Sequence, residues 1–391
     1  MLLKRLLVLK FSGLHRYWVK AFLCLSIFDS RAGQKILLTA IVLTLAAVSM
    51  STSAAVVLQY HHVSESTPAS TSVTPDLFKQ HMDYLAEHDF KIVPLPELVK
   101  QLKSGKALPD RAVAITFDDA YESVYNEAYP LLKKRGWPFT VFINTDPHDQ
   151  NKKSFATWAQ IKEMAKQGVT IANHTTKHGH LLRLRDNESR AQWRKRITQE
   201  ILDAEQRITE KTGQKHRLLA YPYGEYDNHV KDVLKALDFV AFGQQSGPLF
   251  ALNDLLALPR FPFGGGYGDL QDFSTKVNTR PFAIASVELY EDAALKKPLK
   301  DLVLAYGKKP VLVITLEDQK LLPRVNCFAS GQGAIKTEVR DGKLIVQANK
   351  PLHAGRARYN CTAPTGEKGR FFWFSQQWLT KGKDGRWAHE D

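Results

Sequence analysis

Short apolar runs alternate with longer helical patterns over the first two thirds of the chain. Apolar runs that predict strands lie at 56–60, 112–117, 139–143, 169–172, 218–221 and 239–242. Between them, apolar residues recur at helical spacing at 75–87, 121–135, 158–166, 192–211 and 228–237. Thr74 and Pro75 are typical of a helix start. This alternation predicts parallel strands covered by helices, as an α/β barrel or a doubly wound sheet.

The pattern changes after the glycine-rich stretch 263–268. From residue 282 onward the apolar runs are short and strand-like, at 283–290, 311–316, 335–339, 344–348 and 370–374. Asp341 and Gly342 between two of these runs are typical of a hairpin turn. We therefore predict three regions: a leader over 1–55, an α/β domain over 56–272 and a smaller β-rich domain over 280–391.

The leader predicts export. Its second apolar stretch, 36–48, follows Arg31 and Lys35 and ends in small residues. A positive flank, a short apolar core and a small-residue exit are typical of a secretory signal peptide, with cleavage expected near Ala54 or Ala55. An uncleaved N-terminal membrane anchor is the alternative. Either way, we expect the body of the protein in the periplasm or at the cell surface.

Composition and charge mainly exclude certain classes of protein and of partner. Of the 391 residues, 44% are hydrophobic and 24% charged, which is typical of a globular protein and excludes a disordered or fibrous one. The net charge is +14, of which the first 35 residues carry +6. The remaining positive charge is spread without a basic run, so we expect no nucleic-acid partner. Nothing in the pattern indicates an oligomeric state.

Cysteine usage agrees with export. Cys327 and Cys361 are the only cysteines after the leader, because Cys24 lies within it. In an oxidising compartment we expect these two to form a disulfide bond. Three cysteines in all are too few for a fold built on disulfide bonds.

Two motifs with candidate chemistry follow predicted strands. The second strand leads directly into Asp118 and Asp119, and the fourth leads into His174 and His178. Two histidines and a carboxylate are a common ligand set for a catalytic metal, with positions left open for water and substrate. The neighbouring carboxylate can then accept a proton. Taken alone, the aspartate pair also fits a helix cap, and His180 leaves open which histidines would bind.

A third motif, Tyr221–Gly224, follows the strand at 218–221. A proline and a glycine around an aromatic residue make a rigid turn, and a backbone N–H in such a turn can face a developing oxyanion. An ordinary turn that ends the strand explains the same residues.

In this order, each at a strand end, the motifs Thr116–Asp119, His174–His178 and Tyr221–Gly224 resemble those of the polysaccharide deacetylase (NodB-homology) family, carbohydrate esterase family four. The resemblance covers residues 56–269 and includes His61 after the first strand. It implies a distorted (β/α) barrel that removes N-acetyl groups, or less often O-acetyl groups, from glycans with one divalent metal, usually zinc.

Carried over residue by residue, the resemblance implies a site. Asp119, His174 and His178 bind one Zn²⁺ ion. Asp118 is the general base, and Tyr223 supplies a backbone N–H to the oxyanion. Residues 56–272 are then the catalytic domain, and the substrate is an N-acetylated polysaccharide of the envelope or the extracellular space.

The chain departs from the family pattern at two points. Many members have an arginine two residues before the proline of the third motif, where this chain has Ala220. That arginine braces the catalytic aspartate, so here either another cation does so, with Arg260 as a candidate, or the base is less constrained. Many members also keep a late histidine that protonates the leaving amine, and it has no counterpart here. His61 is a candidate for that role, and a structural role for it is equally open.

Two other functions stay open. An O-acetyl esterase would use the same residues on a decorated glycan. A catalytically silent glycan-binding protein would have little need of Asp118 as a base, so that residue argues against it. In the β-rich domain, Trp373, Trp378 and Trp387 fit either a platform that stacks on sugar rings or a buried core, and the core is favoured.

Overall fold

A computed structural model of the chain describes residues 55–250 and 253–387. The predicted signal peptide or anchor lies outside these ranges. Within them, no helix combines the length and the apolar character needed to cross a membrane.

Parallel strands carry the first two thirds of the described chain. The strands up to residue 262 are β1 (Ala55–Tyr60), β2 (His62–Val63), β3 (Ser72–Val73), β4 (Lys91–Ile92), β5 (Ala112–Asp118), β6 (Phe139–Ile143), β7 (Thr170–Asn173), β8 (Leu218–Ala220), β9 (Val240–Phe242) and β10 (Phe261–Pro262). Among the described residues, eight of them form one sheet in the order β10-β1-β5-β6-β7-β8-β9, with β4 beside β5. Strands β2 and β3 pair separately.

The sheet is rolled into a distorted barrel. Every residue of β1 and β5 is buried, as expected for parallel strands covered on both faces. Leu258 pairs with Phe242 of β9, and Phe261 pairs with Leu58 of β1, so the segment 258–262 spans the gap between the two edges of the sheet. The predicted α/β barrel class is therefore confirmed.

Helices connect the strands on the outside of the barrel. Their bounds are Pro75–Glu87, Leu95–Lys103, Tyr129–Lys134, Thr145–Asp149, Trp158–Lys166, Arg190–Thr212, Asn228–Ala236 and Leu270–Val277. The Thr74 hydroxyl accepts a hydrogen bond from the Leu77 N–H, which confirms the predicted helix start. Gly213 ends the long helix with φ 76°, a conformation that glycine adopts without strain.

The helix predicted over 121–135 is confirmed as a helical segment over 122–134, but it is not regular. It is α-helical at 122–123, π-helical over Val124–Ala128 and α-helical again over Tyr129–Lys134. Pro130 lies at the start of that helix. Because proline has no N–H and its ring crowds the preceding turn, a regular helix cannot run through this position without distortion.

The remaining described strands form two further sheets. They are β11 (Arg280–Pro281), β12 (Ile284–Tyr290), β13 (Val303–Leu304), β14 (Val311–Leu316), β15 (Asn326–Ala329), β16 (Gly333–Ile335), β17 (Thr337–Arg340), β18 (Lys343–Gln347), β19 (Gly355–Pro364) and β20 (Phe371–Thr380). One sheet has the order β11-β20-β19-β15-β16 with β13 beside β20, and the other has the order β12-β14-β18-β17. Buried side chains from both sheets form one core, which includes Leu312, Val346, Tyr359 and Trp378.

The single strand predicted over 335–339 is also corrected. Its residues belong to two strands in different sheets, because β16 pairs with β15 while β17 pairs with β18. Lys336 lies between them, where the chain passes from one sheet to the other.

The β-rich region packs against the barrel. The Trp373 ring meets the Phe261 ring edge to face, with centroids 5.3 Å apart. The Arg370 Nη2 atom lies 3.0 Å from Asp110 Oδ1. Trp378 is completely buried, so the core interpretation is confirmed for this tryptophan.

A disulfide bond joins Cys327 to Cys361, as predicted. The two residues lie opposite each other on β15 and β19, 34 positions apart in the sequence. Reduction should lower the free energy of unfolding by about 3–4 kcal/mol, because a loop of this length is no longer closed in the unfolded chain. Thermal unfolding with and without dithiothreitol measures the effect, and equal melting temperatures would contradict it.

Candidate active site

The three sequence motifs meet at the carboxyl ends of adjacent barrel strands. Asp118 ends β5, His174 follows β7, and the turn Pro222–Gly224 follows β8. The backbone here is strained, since Asp119, Ala120, Thr175, His178 and Tyr223 all have φ between 54° and 70°. Residues other than glycine rarely adopt this backbone conformation. Those that do are concentrated at functional sites, where the surrounding structure holds side chains in fixed positions.

Asp119, His174 and His178 form a compact cluster. The Nε2 atoms of both histidines lie 3.6 Å from Asp119 Oδ1, and one ligand atom from each of the three residues lies within 4.8 Å of the others. The His174 Nδ1 atom lies 2.8 Å from the Ala220 carbonyl oxygen. Because that oxygen can only accept, Nδ1 carries the proton and the Nε2 lone pair faces the cluster.

This cluster fits a divalent metal ion. Burial lowers the pKa of His174 and of His178 to about 4, so both rings are neutral near pH 7, as metal ligands must be. Burial raises the pKa of Asp119, which opposes its charged form, and a cation beside it would offset that cost. Tyr121 forms a side-chain hydrogen bond with Asp119. The Tyr121 ring stacks on His62 with centroids 3.6 Å apart, which fixes its position.

Asp118 lies next to the cluster, completely buried, in an ion pair with Arg260. The guanidinium donates from Nη1 to Oδ1 at 2.7 Å and from Nη2 to Oδ2 at 2.8 Å. The Gln59 side chain donates to the same Oδ2 at 2.7 Å. Burial by itself raises the pKa of Asp118, but Arg260 more than offsets this, so the pKa lies well below its usual range. The carboxylate is therefore charged and held in one orientation.

Arg260 provides the brace that the sequence leaves open at Ala220. It is completely buried, and its Nε donates to the Gly243 carbonyl oxygen at 3.0 Å. The guanidinium carbon also lies 5.3 Å from the centre of the Phe142 ring. A cation fixed on several sides and bound through two parallel hydrogen bonds holds Asp118 in a defined orientation.

The turn after β8 places Tyr223 beside the cluster. Its ring stacks on His180 with centroids 3.9 Å apart and meets His178 edge to face at 4.6 Å. The His180 Nδ1 atom lies 2.7 Å from Glu225 Oε2. His180 therefore supports the turn and lies outside the cluster of Asp119, His174 and His178.

His61 reaches the same cleft from the end of β1. Its Nε2 atom lies 3.9 Å from Asp118 Oδ2, and its side chain is 17% exposed. The ring is thus close to the Asp118 carboxylate and partly open to the cleft, which is compatible with the predicted role of proton donor.

Sequence reasoning missed Gln59 and Tyr121. Gln59 is the one amide in the otherwise apolar run of β1, and a polar residue inside a buried strand signals a specific partner. Tyr121 gave no comparable signal, because its contact with Asp119 depends on the left-handed backbone at Asp119 and Ala120.

Comparisons with known proteins show similarity to polysaccharide deacetylases. Residues 105–242 match the model of the polysaccharide deacetylase family. The chain is 30% identical over 182 residues to YxkH of Bacillus subtilis, covering 46% of this chain and 60% of that protein. It is 25% identical over 259 residues to the poly-beta-1,6-N-acetyl-D-glucosamine N-deacetylase of Escherichia coli, covering 57% of this chain and 38% of that protein. The chain thus spans less than two thirds of the length of these relatives.

A solved structure shows the same fold. The Streptococcus pyogenes deacetylase PplD, determined in complex with acetate, superposes with a TM-score of 0.52 at 24% identity, over 58% of this chain and 99% of that chain. This likeness shows the fold of the barrel, and the match over residues 105–242 shows that this part of the chain is similar to the polysaccharide deacetylase family.

Proposed function

We propose that the protein is a metal-dependent hydrolase that removes N-acetyl groups from an N-acetylated polysaccharide. One observation carries the proposal: the cluster of Asp119, His174 and His178 lies beside a second carboxylate, Asp118, that is buried and paired with Arg260. A structural metal site would have no need of that charged neighbour.

Asp119, His174 and His178 would hold the metal, which we expect to be Zn²⁺. A divalent ion bound there supplies Lewis-acid chemistry, in that it polarises an acetyl carbonyl and lowers the pKa of water. Three protein ligands leave coordination positions for substrate, as catalytic sites require.

Residues of the chain carry out proton transfer and stabilise the developing oxyanion. Asp118 accepts the proton of the attacking water, using a lone pair that Arg260 and Gln59 leave unoccupied. The backbone N–H of Tyr223 stabilises the developing oxyanion, and the strained turn fixes its direction. His61 donates a proton to the leaving amine.

The substrate we propose is a polymer of N-acetylglucosamine in the envelope or the extracellular space. Support comes from the Escherichia coli relative, whose name specifies poly-beta-1,6-N-acetyl-D-glucosamine. Residues 56–272 would form the catalytic domain and 280–391 an accessory domain, in a protein exported to the periplasm or the cell surface.

The test is release of acetate and of free amine from a panel of N-acetylglucosamine polymers and O-acetylated xylan. We expect equal amounts of acetate and amine from an N-acetylated polymer. Acetate from the xylan alone would identify an O-acetyl esterase. Binding to a polymer with no release from any of them would identify a silent glycan-binding protein.

Metal removal is expected to abolish the activity reversibly. Treatment with a chelator followed by dialysis should lower acetate release at least about 100-fold, because the chain alone supplies no Lewis acid at the carbonyl. Added Zn²⁺ should restore the rate, whereas Mg²⁺ should not, since two imidazole ligands suit zinc. The proposal would be contradicted if a protein that metal analysis shows to be free of metal kept its full activity.

A further inference from the structure

A small polar cavity lies where the β-rich region meets the rim of the barrel. Its volume is about 110 Å³. The lining side chains that matter here are Gln244, Gln245, Ser330, Arg356, Arg358 and Gln377. The first two follow β9 of the barrel, while the arginines belong to β19 and Gln377 to β20. Both parts of the chain therefore build this cavity.

The two arginines bring positive charge to the cavity without a paired acid. Arg356 Nη1 donates to Gln244 Oε1 at 2.7 Å, and Arg358 Nη1 donates to the Gln244 carbonyl oxygen at 3.2 Å. No carboxylate in the described part of the chain forms an ion pair with either guanidinium. The nearby Glu225 already pairs with His180 and Arg183.

The charges are also crowded. Desolvation by the surrounding protein, and then repulsion from Arg358, lower the pKa of Arg356 to about 10. Attraction from Glu225 offsets part of this repulsion, and an anion bound between the two guanidinium groups would offset more of it.

A buried donor supplies the second observation. Gln377 is 2% exposed, and its Nε2 group has no hydrogen-bond partner. An unsatisfied buried donor costs about 1–3 kcal/mol. The buried Gln245 Oε1 is the unpartnered acceptor in the same lining, and its amide is fixed by donation from Nε2 to the Ala257 carbonyl oxygen at 2.7 Å. Two guanidinium groups and one amide N–H are a donor set suited to an anion.

The cavity lies beside the candidate active site. A Cβ atom on Gly224 would collide with the Arg356 guanidinium and with the Gln244 side chain, so Arg356 packs directly on the turn that holds Tyr223. Part of the Arg356 residue remains exposed to solvent. A group on a polymer bound across the cleft, or a product leaving it, can therefore reach the arginines.

We propose that Arg356, Arg358 and Gln377 form a subsite that binds a carboxylate group. The cavity volume of about 110 Å³ accommodates a carboxylate group. The carboxylate has two chemical sources, an acidic sugar unit of the substrate polymer or the acetate that deacetylation releases. This subsite goes beyond the proposed reaction, and its binding does not require turnover.

Calorimetric titration of the zinc-loaded protein with sodium glucuronate, sodium acetate and glucose tests the subsite. The double variant Arg356→Gln/Arg358→Gln should raise the Kd of the carboxylate ligand at least about tenfold, because it removes two charge-assisted donors. Arg324→Gln/Arg340→Gln, on exposed positions of the same region, is the matched control and should leave the Kd unchanged.

The outcomes separate the sources. If the double variant raises the Kd of glucuronate, the subsite binds an acidic sugar of the polymer. If the double variant raises the Kd of acetate but not that of glucuronate, the subsite binds the released product. Gln377→Leu keeps both charges and should raise the Kd about threefold, so it serves if the double variant does not fold. Equal Kd values for wild type and both variants, or glucose binding as tightly as glucuronate, would overturn the proposal. Inactivity toward every polymer would leave this binding result intact.

Discussion

Asp118→Asn is expected to reduce acetate release by about 10³-fold or more. The amide cannot take a proton from water, and general-base catalysis of this kind contributes about 10²–10⁴-fold. The asparagine also leaves Arg260 buried without its counter-ion, so the free energy of unfolding should fall by about 3–5 kcal/mol. Steady-state rates should therefore be measured well below the melting temperature of the variant.

Asp110→Asn is the matched control for this change. Asp110 also accepts two hydrogen bonds from one arginine, Arg370, but at the contact between the barrel and the β-rich region. Its replacement should cost some stability and leave the rate of the folded protein unchanged. Asp118→Asn with a rate like that of the wild type would remove Asp118 from the mechanism.

Arg260→Met is expected to lower the rate about 100-fold and to destabilise the fold by about 3–5 kcal/mol. Methionine fills much of the space of the side chain, but it leaves the completely buried Asp118 without its cation. The carboxylate then keeps only the hydrogen bond from Gln59, so its direction toward the attacking water is less well defined.

The pH dependence of Arg260→Met should change in a defined direction. With Arg260 present, the pKa of Asp118 in the folded protein lies below its pKa in the unfolded chain. The ion pair therefore stabilises the fold at pH values above the unfolded pKa, and this stabilisation is lost as the pH falls through the folded pKa. Without Arg260 the effect of burial remains and raises the pKa. The acidic limb of the rate profile should therefore move to higher pH. Arg370→Met, the control, should leave the limb in place.

The sequence could predict which motifs would meet. Parallel strands bring their carboxyl ends to one face of a barrel, so polar residues directly after β5, β7 and β8 had to lie near one another. The apolar runs also marked most strands correctly, because strands covered on both faces are continuously apolar.

The residues that contact and orient the motif side chains could not be predicted as firmly from the sequence. The pair of Arg260 and Asp118 joins residues 142 positions apart, and its geometry depends on the closing segment 258–262 between β9 and β1. Gln59 and Tyr121 act through contacts that local pattern does not encode. The left-handed backbone at Asp119 and His178, which directs both side chains, has no signature in residue type.

The β-rich region shows a different limit. Alternating patterns indicated strands there, but the change of sheet at Lys336 and the long strands β19 and β20 depend on pairing between distant segments. The reach of Arg356 to the turn at Gly224 likewise follows only from how β19 packs against the barrel.

Two adjacent aspartates have different tasks in the proposed reaction, because Asp119 binds the metal and Asp118 accepts a proton. Zinc content per chain, measured by mass spectrometry on purified Asp118→Asn and Asp119→Asn after equilibration with excess zinc and desalting, tests this assignment most directly. We expect about one zinc ion on Asp118→Asn, as on the wild type, and loss of most of it from Asp119→Asn, in which a neutral amide replaces the charged carboxylate ligand. Full zinc content on Asp119→Asn, or an empty Asp118→Asn, would contradict it.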